Sequence, residues 1–414
     1  MTQSLLAHQI EMIPTKGHEE YFRKACGVSR YAYNWGLSEW QKEYTEGKKP
    51  NWMALKKKLN SVKKTLCPWI YEVTKCAPEG ALANLGTAWA NYFKDLKKTG
   101  RKSKRPTFKK KGKCQDRFYL SNDQFTIEGK TADLPHIGKV SLREELRFAG
   151  KILGASVCRI ADRWFISVQV ETDVSYLLQN KKNSVGIDLG IETDITLSTG
   201  EKFKGPRALK ARRKKLARLN RQLHRKVKGS FGRKKAALLV ARQHRKIRNI
   251  RTDFIHKVTT RIANKFGIIC LEDLNTAGML KNHKLAQSIS DVSFQEVKRQ
   301  IEYKTKLRGG QTLYVDRFFP SSKRCRKCSA VRDNLTLKDR TFRCGNLKCL
   351  HTEDRDVHAA RNIRKQCTLG RRGIYANGHQ TSIPVKSRKR FCGRKSDGLK
   401  LEKCINTQND SQTT

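Results

Sequence analysis

Four cysteines in two close pairs are the side chains whose spacing predicts chemistry most directly. Cys325 and Cys328 are separated by two residues, and fifteen residues later Cys344 and Cys349 are separated by four. Each pair can supply two thiolates from one turn, and the loop between the pairs can bring them together around a tetrahedral Zn²⁺. Because four protein ligands leave no open position on the metal, we predict a structural zinc ribbon over residues 320–352.

The remaining cysteines and the nearby histidines are not expected to bind this metal. His351 and His358 follow the last cysteine pair, and we interpret them as bystanders because four thiolates already complete the site. The chain has 13 cysteines in all, an odd number, and nine of them lie outside the two pairs. This usage favours a reducing compartment over a disulfide framework.

Three carboxylates form a second candidate site. Asp188 ends one predicted strand, Glu272 ends another, and Asp356 begins a predicted helix. Carboxylate oxygens suit hard cations, so a converging set would bind Mg²⁺ or Mn²⁺ in preference to Zn²⁺. Two such ions about 4 Å apart can activate water and stabilise the leaving oxygen of a phosphodiester. Spacing alone supports equally well an alternative in which these acids cap helices or form ion pairs.

The charge of the chain indicates the kind of partner. Lys and Arg number 89 against 37 acidic residues, which gives a net charge of +52. Nucleic acid is the expected partner, because each neutralised phosphate releases counterions and adds affinity. A surface charged for solubility or for an anionic membrane is the alternative, but no long apolar run or amphipathic anchor supports it. The first residues alternate apolar and polar side chains and predict a strand, not a secretory signal or a membrane anchor.

The elements of the first half change in period along the chain. Residues 1–18 predict a strand, residues 19–114 predict helices, and residues 115–180 predict short alternating strands, as in an antiparallel barrel. We expect the first strand to join this barrel, so that the helices form an insertion. The helical aromatic residues, such as Trp89 and Phe93, are expected to pack in the core.

Residues 181–365 predict a second, α/β domain that carries both candidate sites. From Lys202 to Arg251 the chain has 21 Lys or Arg and no Asp or Glu, with leucines spaced by seven. We expect an ordered, antiparallel pair of basic helices over residues 205–255, although such a charge block could also be an unstructured tail. The segment 288–309 predicts one further helix. Residues 366–414 are expected to be a mostly disordered, basic and polar tail.

Several segments resemble the TnpB family, RNA-guided nucleases of bacterial and archaeal insertion sequences that are ancestral to compact type V CRISPR effectors. The signature segments occur in the family's order, and they are GIDLG (186–190), LEDL (271–274), FFPSSKRCRKC (318–328) and DRDVHAARNI (354–363). Three further segments also resemble the family, and they are RYAYNWGL (30–37), NLGTAWANYF (84–93) and SISDVSFQEV (288–297). The resemblance extends to about residue 366.

The resemblance implies a fold and a set of catalytic residues. The implied fold is a RuvC-type, ribonuclease-H-like nuclease domain with an inserted zinc ribbon, preceded by a β-barrel wedge domain that carries a helical recognition insertion. The family's catalytic acids correspond to Asp188 within GIDLG, Glu272 within LEDL and Asp356 within DRD. The neighbouring acids, Asp273 and Asp354, are not expected to bind the metal.

Two positions depart from the family's pattern. His358 stands where the family usually has Asn, and Ser329 stands where a Gly usually follows the first cysteine pair. Neither change removes a predicted metal ligand. His358 could alter the hydrogen bonds beside Asp356.

The resemblance also implies an activity. We expect a guide RNA to pair with one strand of double-stranded DNA while the protein checks a short adjacent motif, and Mg²⁺-dependent hydrolysis to cut both strands in turn at one site. One or two copies of the protein would bind one RNA in the cytoplasm of a prokaryote, beside the nucleoid. The alternatives are a compact CRISPR effector with an array-derived guide, a nuclease-inactive RNA-guided repressor and a cut-and-paste transposase. The complete carboxylate set argues against the repressor, and the zinc ribbon between Glu272 and Asp356 argues against the transposase.

The resemblance and the charge pattern suggest nucleic-acid contacts. Lys75, Ser121 and Asn122 correspond to contacts with the flanking duplex, and Glu79 stands where the family more often has an amide, so the motif recognised here could differ. The basic helices would hold the backbone of the guide–target duplex, and their candidate residues are Arg212, Arg213, Lys214, Arg221, Arg245 and Arg248.

Overall fold

The protein is described from a computed structural model, which covers residues 3–99, 104–179, 181–336 and 339–369. These residues contain a seven-stranded sheet, a five-stranded sheet and a two-stranded hairpin, with nine α-helices. The last described helix ends at Leu369, so it extends into the range that was predicted as a tail. The rest of that predicted tail, residues 370–414, lies outside the described residues.

The first half is built on an antiparallel sheet whose strands come from both ends of a helical segment. These strands are β1 (Gln3–Ile13), β2 (Arg117–Ser121), β3 (Thr126–Glu128), β4 (Thr131–Leu134), β5 (Gly138–Leu142), β6 (Lys151–Ile160) and β7 (Arg163–Asp173). Their order in the sheet is β2-β6-β7-β1-β5-β4-β3. The N-terminal strand therefore pairs with β5 and β7, strands that follow it by more than a hundred residues.

Three helices lie between β1 and β2, and they are α1 (Lys16–Thr45), α2 (Trp52–Leu66) and α3 (Cys76–Thr99). Side chains cap the first two, since Thr15 accepts the N–H of His18 and Asn51 accepts the N–H of Met53 at 2.9 Å. Trp40 and Trp89 stack with 5.6 Å between their ring centroids. Most aromatic residues of these helices therefore belong to the core, as their helical spacing predicts, whereas Tyr44 near the end of α1 is exposed.

The second half contains a mixed five-stranded sheet. Its strands are β8 (Ser184–Asp188), β9 (Ile195–Leu197), β10 (Lys202–Phe203), β11 (Ile268–Glu272) and β12 (Gln311–Val315), in the order β10-β9-β8-β11-β12. Strands β8, β11 and β12 are parallel, and β9 and β10 are antiparallel to their neighbours. Because helices cover both faces, the central parallel strands β8 and β11 consist of nearly continuous buried residues.

The helices of the second half are α4 (Ala208–His224), α5 (Phe231–Lys265), α6 (Thr276–Met279), α7 (His283–Val292), α8 (Phe294–Leu307) and α9 (Arg355–Leu369). Helices α5 and α8 pack on one face of the five-stranded sheet, and α9 packs on the other. Gly186 of β8 permits the close approach of α9, because a Cβ atom there would lie 1.9 Å from the carbonyl oxygen of Ala360.

The basic segment forms two ordered helices, α4 and α5, so it is not an unstructured tail. The turn between them is closed by Arg233, whose Nη1 donates to the carbonyls of Leu223 and Lys226 at 2.9 Å. The start of α4 is held by the buried Asp291, whose carboxylate accepts the N–H of Leu209 at 3.0 Å and of Lys210 at 3.1 Å. Helix α5 runs ten residues beyond the predicted end of this segment.

A short hairpin separates β12 from α9. It consists of β13 (Thr341–Arg343) and β14 (Thr352–Asp354), which pair antiparallel and carry the second cysteine pair between them. In the part of the chain that the structure describes, no helix combines the length and the apolar character needed to cross a membrane.

Candidate active site and cysteine cluster

Two of the predicted acids lie at one edge of the five-stranded sheet. Asp188 is the last residue of β8 and Glu272 is the last residue of β11, and these neighbouring strands run parallel. Residues alternate between faces along a strand, so Asp188 shares the face of Gly186, and Glu272 shares the face of Cys270. Both of those residues pack against α9. Asp188 and Glu272 therefore project from the same edge and on the same face.

Helix α9 brings the third acid to this edge, because Asp356 lies in its first turn. Burial, together with the charges of Glu272 and Asp356, raises the pKa of Asp188 to about 8, while Arg355 acts in the opposite direction. Burial also raises the pKa of Glu272, opposed by a hydrogen bond that the hydroxyl of Ser321 donates to its carboxylate. Asp188 thus lies in a buried position close to two like charges, where a cation would stabilise its ionised form.

The two neighbouring acids face other partners. Asp273 follows Glu272, and its carboxylate lies 3.1 Å from Lys298 Nζ and 3.2 Å from Arg317 Nη2, which lowers its pKa. Asp354 accepts the backbone N–H of Val357 at 3.1 Å and lies 2.8 Å from Lys202 Nζ. Both carboxylates therefore form ion pairs with basic side chains.

Ser321 is a site residue that the sequence analysis did not single out. Its hydroxyl bonds to Glu272, and its backbone carbonyl accepts a hydrogen bond of 2.7 Å from Asn362 of α9. Ser321 therefore connects the loop after β12 to both the strand and the helix that carry acids. Ser321 lies within the segment FFPSS, which resembles the family but whose residue spacing by itself predicts no chemistry.

The four predicted cysteines form one cluster. Their sulfur atoms all lie within 4.8 Å of one another, close enough to share one metal ion. Cys325 lies 3.7 Å from Cys349, and Cys328 lies 3.5 Å from Cys344, so each contact joins one residue from each pair. The backbone N–H of Ala330 lowers the pKa of Cys328 to about 7, which favours the thiolate form that metals bind, whereas burial raises the pKa of Cys349.

The two histidines do not belong to this cluster, but both contact the carboxylate of Glu353. His358 is fully buried and stacks on Phe342 of the hairpin, with 3.9 Å between the ring centroids. Its Nε2 donates to the carbonyl of Arg324 at 2.9 Å, and its Nδ1 lies 3.1 Å from the carboxylate of Glu353. His351 lies 3.2 Å from the same carboxylate. His358 thus joins the cysteine-bearing segment to α9, two residues after Asp356.

The geometry explains why the residue after the first cysteine pair is usually glycine. Ser329 has φ of 62°, in the left-handed region that costs most residues about 1 kcal/mol or more. We expect Ser329→Gly to raise the free energy of unfolding by about 1 kcal/mol, measured by urea denaturation. Ser61→Gly within α2 is the control, and it should lower that free energy by a similar amount. A less stable Ser329→Gly protein would contradict the proposed strain.

The predicted flanking-duplex residues lie together. Lys75 precedes α3, and its Nζ is 3.4 Å from Asp123 in the loop after β2. Ser121 ends β2 and lies 3.1 Å from the sulfur of Cys76, and Asn122 begins the turn that follows. The helix start and the loop thus form one polar surface.

The six predicted basic residues of α4 and α5 differ in their surroundings. Arg213, Lys214, Arg221 and Arg248 are exposed, and Arg212 is half-buried. Arg245 is only 16% exposed at its side chain and lies 3.5 Å from Asp162, so it is partly committed to an ion pair. The sequence could not show this pairing, because Asp162 lies in the turn between β6 and β7 whereas Arg245 lies in α5, far along the chain.

A basic cavity of about 630 Å³ lies between these helices and the seven-stranded sheet. Its lining includes Arg163 of β7, Lys215 of α4, and Lys246 and Arg248 of α5. The sequence pattern predicts basic residues on the helices but not this cavity, because the cavity forms only where α5 packs beside β1 and β7. A polyanion in this cavity can contact basic residues of both the seven-stranded sheet and the two basic helices.

The chain is similar to known protein families along most of its length. Three family models match, described as "Probable transposase" over residues 166–283, "Cas12f1-like, TNB domain" over residues 294–363 and "Helix-turn-helix domain" over residues 1–49. The last description does not fit the local structure, in which these residues form β1 and the single long helix α1.

Two relatives match most of the chain. A protein of Streptomyces pristinaespiralis named "Putative RNA-guided DNA endonuclease" is 34% identical over 372 residues, which is 88% of this chain and 89% of the relative. The Escherichia coli K12 protein named "Putative RNA-guided DNA endonuclease InsQ" is 29% identical, and the match covers 87% of this chain and 91% of that protein.

A solved structure shares the fold. The chain titled "Cryo-EM structure of the Cas12f1-sgRNA-target DNA complex" superposes with a TM-score of 0.55 at 16% identity, over 85% of this chain and 83% of that chain. Mimivirus relatives named "TnpB-like protein" match about half of this chain at 25% identity. The match to the 34% identical relative covers 88% of this chain. Together with the three matching models, this match shows that the chain belongs to the TnpB family.

Proposed function

We propose that this protein is an RNA-guided DNA endonuclease that binds a guide RNA, recognises a short motif beside its target and cleaves double-stranded DNA at Asp188, Glu272 and Asp356. The observation that carries the proposal is the arrangement of these acids at one sheet edge, where the charges of two of them help to raise the pKa of the third to about 8. The printed names of the relatives support it.

The proposal includes a finer description of the fold. The mixed sheet with α9 on one face and α5 and α8 on the other is interpreted as a RuvC-type, ribonuclease-H-like domain over residues 181–365. The seven-stranded sheet of residues 1–18 and 115–180 is interpreted as the wedge domain, and residues 19–114 as its recognition insertion. The support is that α1, α2 and α3 interrupt the sheet between paired strands.

Two kinds of metal fit the side chains present. The three carboxylates would hold Mg²⁺ or Mn²⁺, which, when bound, supply charge stabilisation and an activated water at a phosphodiester. The four clustered cysteines would hold Zn²⁺ as a structural ion.

The residues around the acids have separable roles in this proposal. Ser321 holds the Glu272 carboxylate in one orientation through its hydroxyl. Arg355 precedes Asp356 and lies 3.6 Å from its carboxylate, so it limits the repulsion among the acids. Asp354 caps the first turn of α9 and thereby fixes the backbone that presents Asp356.

We assign the nucleic acids to two surfaces. The exposed basic residues of α4 and α5 and the cavity beside them would hold the backbone of the guide–target duplex. Lys75, Ser121 and Asn122 would contact the duplex that contains the adjacent motif. One or two copies of the protein on one RNA, in the cytoplasm of a prokaryote beside the nucleoid, complete the proposal.

The experiment for this proposal begins with the RNA. The protein, purified with its bound RNA, should carry one discrete species, and its affinity for matched DNA should fall steeply as salt rises. The complex should linearise a matched plasmid in the presence of Mg²⁺. Absence of any discrete RNA would overturn the guided mechanism.

A compact CRISPR effector is the second candidate, favoured by the structural similarity to a Cas12f1 chain and by the matching Cas12f1-like domain model. The two candidates share the same chemistry and differ in the source of the guide. Sequencing the bound RNA separates them, because a repeat-derived end would indicate an array and a transposon-end sequence would indicate an insertion element.

A further inference from the structure

Phe318 is an aromatic side chain that the fold leaves in solvent beside the carboxylate edge. It is 85% exposed, whereas its neighbour Phe319 packs into the apolar cluster formed by β11, β12 and α9. Isolated exposed apolar residues are common on proteins, so exposure alone decides nothing. The position of Phe318 relative to Glu272 carries the inference.

The loop that bears Phe318 is attached to the acid at both ends. Before the loop, Val315 of β12 is the register partner of Glu272. After it, Ser321 donates its hydroxyl to the Glu272 carboxylate. Between these two attachments the carboxylate of Asp316 accepts the N–H of Phe318 at 2.8 Å, which fixes the turn. The ring is therefore held by a short and anchored segment next to the strand end that carries Glu272, on the side of the loop that faces Asp273 and Lys298.

Cationic and aromatic side chains accompany Phe318. An open cavity of about 640 Å³ is lined by Phe318, Tyr314, Lys298 and Arg317. Lys298 Nζ lies 4.2 Å from the centre of the Tyr314 ring, and Asp273 holds both cations in place. The acids Asp273 and Asp316 also line this cavity, so its formal charges balance and the exposed ring, not a net charge, distinguishes this surface.

These features match the way proteins hold unpaired nucleotides. A base offers its flat face to an aromatic ring only when it is not stacked in a duplex, and such stacking tolerates every base. Cations nearby can contact the adjacent phosphates. A protein surface would instead need a larger apolar patch than one ring.

We propose that Phe318 stacks on a base of the unpaired DNA strand beside the carboxylate site, and so positions the phosphodiester that is cleaved. Phe318 is a positioning residue, and the inference rests on the proposed endonuclease function. Alanine substitution at aromatic stacking platforms typically costs ten- to a hundredfold in affinity, so we expect Phe318→Ala to slow cleavage by roughly that factor. Phe318→Trp should retain the rate, because its ring is at least as large.

The test uses the protein with its guide RNA and a matched target under single-turnover conditions. Wild type, Phe318→Ala and Phe318→Trp are compared with Leu5→Ala, which removes a 61% exposed apolar side chain from β1. Guide content should be equal in all four proteins, because none of the substitutions changes the basic helices assigned to the guide–target duplex, and target binding should be equal because base pairing determines it. Only Phe318→Ala should cleave slowly.

A second measurement separates stacking from a merely structural role. Abasic sites are placed, one position at a time, next to the cut mapped for the wild type. At one position the missing base should slow the wild type as much as Phe318→Ala does, and should slow Phe318→Ala no further. Equal rates for wild type and Phe318→Ala, or additive losses at every position, would overturn this inference. The proposed function would remain intact in that case, because the wild type still cleaves. If the wild type itself does not cleave, the proposed function has failed instead.

Discussion

Asp188→Asn should abolish DNA cleavage and leave the guide RNA and the target DNA bound. The substitution keeps the shape of the side chain but removes the charge at the centre of the carboxylate group. Metal ions at such sites contribute several kcal/mol to catalysis, so the rate should fall at least about a thousandfold. Plasmid linearisation measures the first effect, and RNA content and DNA binding measure the second.

The same substitution should stabilise the metal-free protein. Asp188 is held near two like charges, which with burial raise its pKa to about 8, so its ionised form is unfavourable in the fold. Removing that charge should raise the thermal unfolding temperature without Mg²⁺. Asp133→Asn is the matched control, because it makes the same chemical change at an exposed residue of β4 in the other sheet. Cleavage by Asp188→Asn, or equal loss in the control, would contradict the assignment.

Cys349→Ser should release zinc and also impair cleavage. Cys349 lies seven residues before Asp356, and its cluster is joined to α9 by the stacking of His358 on Phe342 and by the hydrogen bonds to Arg324. Loosening this connection should displace the first turn of α9, which presents Asp356. Loss of supporting contacts around metal ligands commonly costs ten- to a hundredfold, and we expect a loss of that order.

Zinc content is measured by metal analysis and cleavage by the plasmid assay, with guide RNA content as the check on folding. Cys114→Ser is the control, because Cys114 lies outside the cluster. It should retain both zinc and cleavage. Unimpaired cleavage by Cys349→Ser after zinc is lost would show that the cluster does not support the acids.

Local patterns explain why much of both candidate sites was predictable. The cysteine spacing depends on two turns, and the positions of Asp188 and Glu272 depend on apolar runs that end in an acid. Because neighbouring strands proved parallel, their ends meet at one edge, and Asp356 at a helix start completes the group. The four sulfur atoms do lie together, as the spacing predicts.

The features that sequence reasoning missed depend on contacts between distant segments. The basic cavity needs α5 to lie beside β1 and β7, and the hydrogen bond between Ser321 and Glu272 spans 49 residues. The single helix predicted over residues 288–309 is in fact α7 and α8, separated by Ser293 with φ of 58°. Nothing in the local apolar spacing indicates that break. Just before it, the buried carboxylate of Asp291 accepts hydrogen bonds from the start of α4, a contact between distant segments that the sequence pattern does not show.

The most direct measurement is to change the guide. The protein is loaded with its RNA after the segment that pairs with target has been replaced, and two plasmids are offered, one matched to the old guide and one to the new, each with the same adjacent motif. Our account predicts Mg²⁺-dependent linearisation of the newly matched plasmid alone, and no linearisation of either by Asp188→Asn. Cleavage that ignores the new guide, or that persists in Asp188→Asn, would contradict it.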